Sequence, residues 1–198
     1  FKDISKLILF FTKKGDIVLD PFSGVASTSK ACALTGRKSV GIELTKKWVD
    51  LSKERLKKEV PNSKGQEIIN GDSRIELKNF KDEYFDFMVT SPPYWQILNK
   101  KLDHKTKERV ENGLSKKYSE NKDDLGNIID YPEFLSELKN IFSECYRVLK
   151  NKKYTAVVVS DFRHKSDFIP YHIDVIKLMR ELNFELKGIT ILAQNHKS

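Results

Sequence analysis

Two hydroxyl residues, two prolines and two aromatic rings stand together at Thr90-Ser91-Pro92-Pro93-Tyr94-Trp95, directly after the apolar run Tyr84-Phe85-Asp86-Phe87-Met88-Val89. Each proline holds φ near about −65° and offers no N–H, so the carbonyls of Ser91 and Pro92 are left as fixed acceptors where a strand ends. Acceptors held in this way suit an exocyclic amine on a flat heterocycle. The lone pair of such an amine is delocalised into the ring, and drawing its hydrogens out of the ring plane makes it a better nucleophile. Ser91 Oγ and the Pro92 carbonyl supply two acceptors, and the ring of Tyr94 could stack on an unstacked base. The plain alternative is that Pro92-Pro93 ends a strand and Tyr94-Trp95 pack in a core, and the hexapeptide alone leaves both open.

A second set of residues stands earlier in the chain. Asp16-Ile17-Val18-Leu19-Asp20 reads as an apolar strand ending in a carboxylate, followed by Pro21-Phe22-Ser23-Gly24-Val25-Ala26-Ser27-Thr28 and a helical stretch. Gly24 can take a positive φ and let a ligand approach the backbone, and Ser27 or Thr28 can cap the helix, whose N-terminus then faces that ligand. Ser39-Val40-Gly41-Ile42-Glu43 reads as the next strand. An acid at its end is suited to the ribose hydroxyls of a nucleoside-containing cofactor.

Taken together, Asp20-Pro21-Phe22-Ser23-Gly24 resembles the cofactor motif, and Ser91-Pro92-Pro93-Tyr94 the catalytic motif, of the amino-group DNA methyltransferases, which use S-adenosylmethionine to methylate cytosine N4 or adenine N6. The resemblance covers nearly the whole chain and rests on the combination of the two motifs. It implies an α/β chain with the three-layer, Rossmann-like methyltransferase fold, a mostly parallel sheet with helices on both faces. The catalytic residues it implies are Ser91, Pro92, Pro93 and Tyr94. S-adenosylmethionine would be held by Asp20, Pro21, Phe22, Ser23, Gly24, Ser27, Thr28, Glu43 and Asp72, with no metal. Asp72 either accepts from the adenine amino group of the cofactor or caps a helix over 73–78, and the two roles are compatible.

In that family a serine before Pro-Pro is often found in cytosine-N4 enzymes and an aspartate or asparagine usually in adenine-N6 enzymes, so Ser91 favours cytosine N4. One departure concerns Ala26, which stands where the family usually carries a second glycine and so bears on how closely the backbone meets the cofactor. The resemblance further implies DNA as the partner, with the target base flipped out of the duplex, and a restriction endonuclease as a companion activity. Competing readings are an RNA or tRNA amino-methyltransferase and a non-catalytic nucleic-acid-binding subunit that keeps the fold. A nicotinamide-dependent dehydrogenase is disfavoured by the lack of Gly-x-Gly-x-x-Gly.

Periodicity predicts the strands and helices that carry these groups. Length predicts a single domain over all 198 residues. Strands are predicted at 16–20, 39–43, 67–70, 84–90, 154–159 and 184–193, the last as one arm of a terminal hairpin. Helices are predicted at 4–12, 27–35, 45–58, from 131 onward and at 171–182. Alternation of this kind gives a parallel sheet whose ligands bind at the carboxyl ends of the strands. Trp48 is expected in the core, and 154–159 as a buried strand. Asp161 and Arg163 stand past that strand, where they could line a base pocket, meet phosphate or, most simply, pair with each other.

Residues 96–130 form a charged, apolar-poor insertion, either a nucleic-acid-binding loop or lid or a solvated face. His104 within it has no visible partner. A net charge of +8 fits a polyanionic partner as well as plain lysine-rich solubility. Cys32 and Cys145 read as reduced core thiols of a cytoplasmic protein. No apolar run is long enough for a membrane span and no signal peptide is visible. The start at Phe1 suggests that a segment has been left out.

Overall fold

A computed structural model describes residues 2–95 and 123–192. Among the described residues five strands, β1 (Ile17–Asp20), β2 (Lys38–Glu43), β3 (Gln66–Asn70), β4 (Phe85–Thr90) and β5 (Leu149–Val157), pair in the order β3-β2-β1-β4-β5. Every pairing is parallel. All six residues of β4 are buried, as expected for a strand covered on both faces.

Helices close both faces. On one face lie α1 (Lys2–Phe11), α2 (Ser27–Thr35) and α3 (Lys46–Glu59). Ile8 of α1 packs with Val18, Cys32, Phe87 and Val89, while Val49 and Leu56 of α3 pack with Ile68. On the other face lie α4 (Ser73–Glu76), α5 (Tyr131–Val148) and α6 (Tyr171–Glu181). There Phe134, Leu138, Ile141 and Phe142 of α5 meet Leu19, Phe85 and Met88 in the largest core. The three-layer parallel architecture expected from the sequence is therefore the one observed.

The strand order fixes where a ligand can sit. From β1 the chain runs outward to β2 and β3, then returns to β4 on the other side of β1, so β1 and β4 flank the switch point of the sheet. Connections leave in opposite directions there and open a crevice beyond the strand ends.

Three expectations need correction. Strand β5 begins at Leu149, not Tyr154, and is half-exposed rather than buried. It lies at the sheet edge, and its charged start is accommodated by a register shift opposite Phe85 and Phe87, with Lys152 at φ 60°. Lys150 and Lys153 there pair with Asp86 at 2.7 and 3.4 Å. Residues 184–192 form no strand, because no neighbour among the described residues pairs with their backbone, and an extended run without a partner has no ladder to hold it. Trp48 is half-exposed beside Lys47, and it is Val49 that turns inward.

A small antiparallel hairpin, β6 (Phe162–His164) and β7 (Asp167–Ile169), was not expected from the sequence. The charged insertion lies outside the described residues up to 122. Its last part forms a short 3₁₀ turn at Leu125–Asn127. Among the described residues no helix is long and apolar enough to cross a membrane.

Candidate functional site at the sheet switch point

Asp20 ends β1 at the switch point and is 5% exposed. Its Oδ2 accepts from Thr28 Oγ1 at 2.6 Å, and its Oδ1 accepts from Thr90 Oγ1 at 2.7 Å and from the Phe22 N–H at 3.2 Å. Burial pushes this carboxyl up from its ordinary value, against the opposing pull of the two threonine hydroxyls and the Phe22 N–H. Asp20 thus ties together the loop after β1, the start of α2 and the last residue of β4.

The loop at 21–26 is shaped by two left-handed residues, Gly24 at φ 51° and Ala26 at φ 58°. Among the described residues a Cβ added to Gly24 would meet nothing within 4 Å, which leaves room for a ligand beside the loop. Ala26 is itself the N-cap of α2 and among the described residues no side chain caps the helix, which corrects the expected role of Ser27 and Thr28. The left-handed turn at Ala26 closes the loop before either hydroxyl is in capping position. Thr28 is turned to Asp20 instead, and Ser27 Oγ accepts from the Arg55 guanidinium at 3.3 Å.

Ser23 and Pro21 stand against the backbone of their neighbours. Among the described residues the buried Ser23 hydroxyl has no hydrogen-bond partner, and a Cβ on Gly41 would come within 2.4 Å of it, so β2 needs glycine at that point. The Pro21 carbonyl accepts from the Ser73 hydroxyl at 2.5 Å. Phe22 packs against the main core.

Glu43 ends β2. Its Oε2 accepts from the Gly24 N–H at 2.9 Å and its Oε1 from the Thr45 N–H at 2.8 Å. Burial raises its pKa from the ordinary carboxylate value, with the two backbone N–H groups opposing. Each oxygen retains acceptor capacity toward the open side of the loop. These features fit a nucleoside-containing cofactor: an acid with spare lone pairs, an uncapped helix N-terminus and a glycine facing open space.

Asp72 caps α4, accepting from the Arg74 N–H at 2.8 Å. Arg74 also grips the Asp72 carboxylate through Nη2 at 2.6 Å and reaches Glu137 at 2.6 Å through Nη1. The capping role expected of Asp72 is therefore realised. The arginine that engages it was not picked out from the sequence, although its position two residues past the acid is a visible signal.

The claw follows β4 on the other side of β1. Ser91 is exposed, Pro92 buried, and Pro93 and Tyr94 half-buried. Among the described residues no hydrogen bond reaches the Ser91 or Pro92 carbonyl, whereas the Pro93 carbonyl accepts from the Tyr171 hydroxyl at 3.1 Å. The Tyr94 ring lies 6.0 Å from Phe162 and 5.7 Å from Tyr171. Burial raises the Tyr94 phenol, while the Ser160 backbone and the Ser91 side chain pull it down, so the Tyr94 hydroxyl and Ser91 are neighbours. Trp95 donates from Nε1 to the Ile128 carbonyl at 3.0 Å.

Asp161 and Arg163 do not pair. Asp161 Oδ1 meets His172 Nδ1 at 2.6 Å and accepts from the His172 N–H at 3.1 Å, because β6 carries Arg163 away from it. Sequence reasoning missed Thr90 and Tyr171. A polar residue ending an otherwise apolar strand, and a tyrosine directly after Pro170 at a helix start, were the available signals.

With this geometry in place, comparison with known proteins decides the family. The DNA methylase family model, N6_N4_Mtase, matches residues 2–54 and 85–197. The chain belongs to the DNA methylase family. It is similar to the orphan methyltransferase M.BamHII of Bacillus amyloliquefaciens, 48% identical over 50 residues that cover 25% of this chain and 19% of the relative. The type II methyltransferase M.HinfI of Haemophilus influenzae is 37% identical over 73 residues, or 37% of this chain and 19% of the relative. The DNA adenine methyltransferase YhdJ of Escherichia coli is 38% identical over 53 residues, 27% and 18% of the two chains. This DNA methylase family member thus spans about a fifth of the length of these curated relatives.

Solved structures share the fold. A TehB-like SAM-dependent methyltransferase from Corynebacterium glutamicum superposes with a TM-score of 0.52 at 13% identity, covering 90% of this chain and 71% of that one. Precorrin 8W decarboxylase of Methanobacterium thermoautotrophicum does so with a TM-score of 0.56 at 14% identity, over 92% and 72%. A decarboxylase among the neighbours makes plain that the sheet alone does not choose the reaction.

Proposed function

We propose that this chain is the catalytic domain of a site-specific DNA methyltransferase that methylates the exocyclic amino group of a flipped base, cytosine N4 in preference to adenine N6. The observation that carries the reading is the Asp20–Thr90 hydrogen bond at 2.7 Å, which joins the candidate cofactor loop and the candidate claw at one switch point. Asp20, Pro21, Phe22, Ser23, Gly24, Ser27, Thr28, Glu43 and Asp72 form the cofactor side, and Ser91, Pro92, Pro93 and Tyr94 the base side. S-adenosylmethionine supplies an electrophilic methyl group when bound.

Glu43 would hold the ribose through its remaining lone pairs, and the N-terminus of α2 would favour a negatively charged group of the cofactor. Ser91 Oγ and the Pro92 carbonyl accept from the two amine hydrogens and direct the lone pair toward the cofactor. Tyr94, held by Tyr171 and Phe162, offers its exposed part to the face of the base. Positioning and acceptor electrostatics carry the rate, and the proton is lost after transfer.

Cytosine N4 rests on Ser91. The likeness to the adenine methyltransferase YhdJ favours the second reading, adenine N6, with the same residues in the same roles. Ser91→Ala separates the claw from the loop: turnover should fall by about a hundredfold or more, as for loss of one aligned catalytic hydrogen-bonding group, with cofactor affinity unchanged. Equal loss of turnover and cofactor affinity contradicts the assigned role.

A further inference from the structure

The hairpin β6–β7 stands beside the claw and is fastened to it. Phe162 is 6% exposed and packs on Tyr94 and Tyr171 at 6.0 and 5.7 Å. His164 lies 4.2 Å from the Trp95 ring. Alternation along a strand puts Phe162 and His164 on this inner face and Arg163 on the opposite one. The register sets Arg163 across from Phe168, and the guanidinium lies 5.9 Å from that ring. The outer face of the hairpin is therefore a cation on an aromatic ring that is itself 56% exposed.

The tip adds a second cation. Lys165 opens the two-residue turn at φ 53°, a conformation that favours glycine and costs another residue about 1–2 kcal/mol. Arg163 and Lys165 are exposed, and among the described residues neither is paired with a carboxylate; Arg163 donates only to the Ser166 carbonyl at 3.2 Å. Asp161 is occupied by His172, and Asp167 lies on the inner side opposite His164. Unneutralised cations with an exposed aromatic ring are the surface that binds a nucleic-acid backbone and stacks on its bases.

Resting on the functional reading above, we propose that this hairpin grips the DNA backbone flanking the flipped base, Arg163 and Lys165 each meeting a phosphate and Phe168 covering an adjacent sugar or base. Its fastening to Tyr94 and Trp95 then couples the grip on the duplex to the position of the claw.

The test is binding of a labelled DNA duplex, followed by fluorescence anisotropy across a salt series, for the wild-type chain and Arg163→Glu/Lys165→Glu. Calorimetric affinity for S-adenosylmethionine, unchanged between the two, shows that the variant is folded. Affinity for DNA should drop about tenfold or more, and the slope against salt should shrink by about two, one per lost phosphate contact. Lys165→Gly removes one charge while suiting the left-handed turn, and should lose about one unit of slope with no loss of melting temperature. A double variant with the affinity and slope of a wild-type chain that methylates DNA overturns the hairpin proposal alone. A wild-type chain without affinity for duplex DNA overturns the functional reading and the hairpin together.

Discussion

Thr90 Oγ1 donates to Asp20 Oδ1 at 2.7 Å, so the last residue of the strand before the claw is bonded to the last residue of the strand before the loop. Both side chains are buried, at 2% and 5% exposure, and the bond runs across neighbouring parallel strands. Thr90→Val keeps the shape and removes the donor. A buried acceptor then loses one partner, which should cost about 1–3 kcal/mol of unfolding free energy in denaturant titration. Cofactor affinity and turnover should fall together, because both motifs lean on Asp20. Loss of one without the other argues against a shared anchor.

How much of this was legible beforehand differs by residue. The strands ending in Asp20, Glu43 and Thr90 carried their own apolar patterns, so the sheet and the grouping of the two motifs at its carboxyl edge could be read directly. Partners contributed from far along the chain could not. Tyr171 reaches Pro93 across 78 residues, and nothing local to either signals the contact. The strand expected at 184–193 is not formed over the described residues 184–192 for a related reason: an alternating pattern states a preference for strand, whereas a strand exists only with a neighbour to pair with, and none of the described residues is one. The hairpin was missed because Lys165-Ser166 lacks the glycine or asparagine that usually marks such a turn.

Ala26 holds φ at 58° with no exposure, packed against Val49, Leu56 and Ile68. Ala26→Gly relieves a left-handed conformation but removes a buried methyl and loosens the unfolded chain, so stability should shift by no more than about 1 kcal/mol. Ala26→Val places a β-branched residue in the same conformation and overfills the site, and should cost about 3 kcal/mol. Thermal melts of the pair check this. A valine variant as stable as wild type would mean that the loop is not held in this turn.

Glu43 makes two quantities respond to acid in opposite directions. Its folded pKa is raised by burial, so its contribution to stability is full below the ordinary value of 4.5 and is lost as pH rises through the folded value. If Glu43 holds the ribose as proposed, cofactor affinity should fall as pH drops through that same folded value, because the proton takes up an acceptor. The gain in melting temperature from added S-adenosylmethionine, followed from about pH 8 to pH 4, should therefore shrink in acid. In Glu43→Gln the gain should be small and insensitive to pH. A wild-type gain that is flat with pH contradicts the ribose role.

Tyr171→Phe removes the donor to the Pro93 carbonyl while keeping the ring contacts with Tyr94 and Phe134. The expected loss of stability is about 1 kcal/mol. Steady-state kinetics on a DNA substrate should show reduced kcat with an unchanged Kd for the cofactor, since the hydroxyl removed is the donor to Pro93 of the claw. A variant that loses cofactor affinity instead would place the effect elsewhere.

The proposed reaction is methyl transfer to an exocyclic amino group of DNA, with Ser91 selecting cytosine. Duplex DNA incubated with the chain and methyl-labelled S-adenosylmethionine, then digested to nucleosides and resolved by mass spectrometry, tests it most directly. The predicted product is labelled N4-methyldeoxycytidine. Labelled N6-methyldeoxyadenosine would retain the amino-group chemistry and overturn the assignment of Ser91, and label only at a ring carbon, or in no nucleoside, would contradict the account itself.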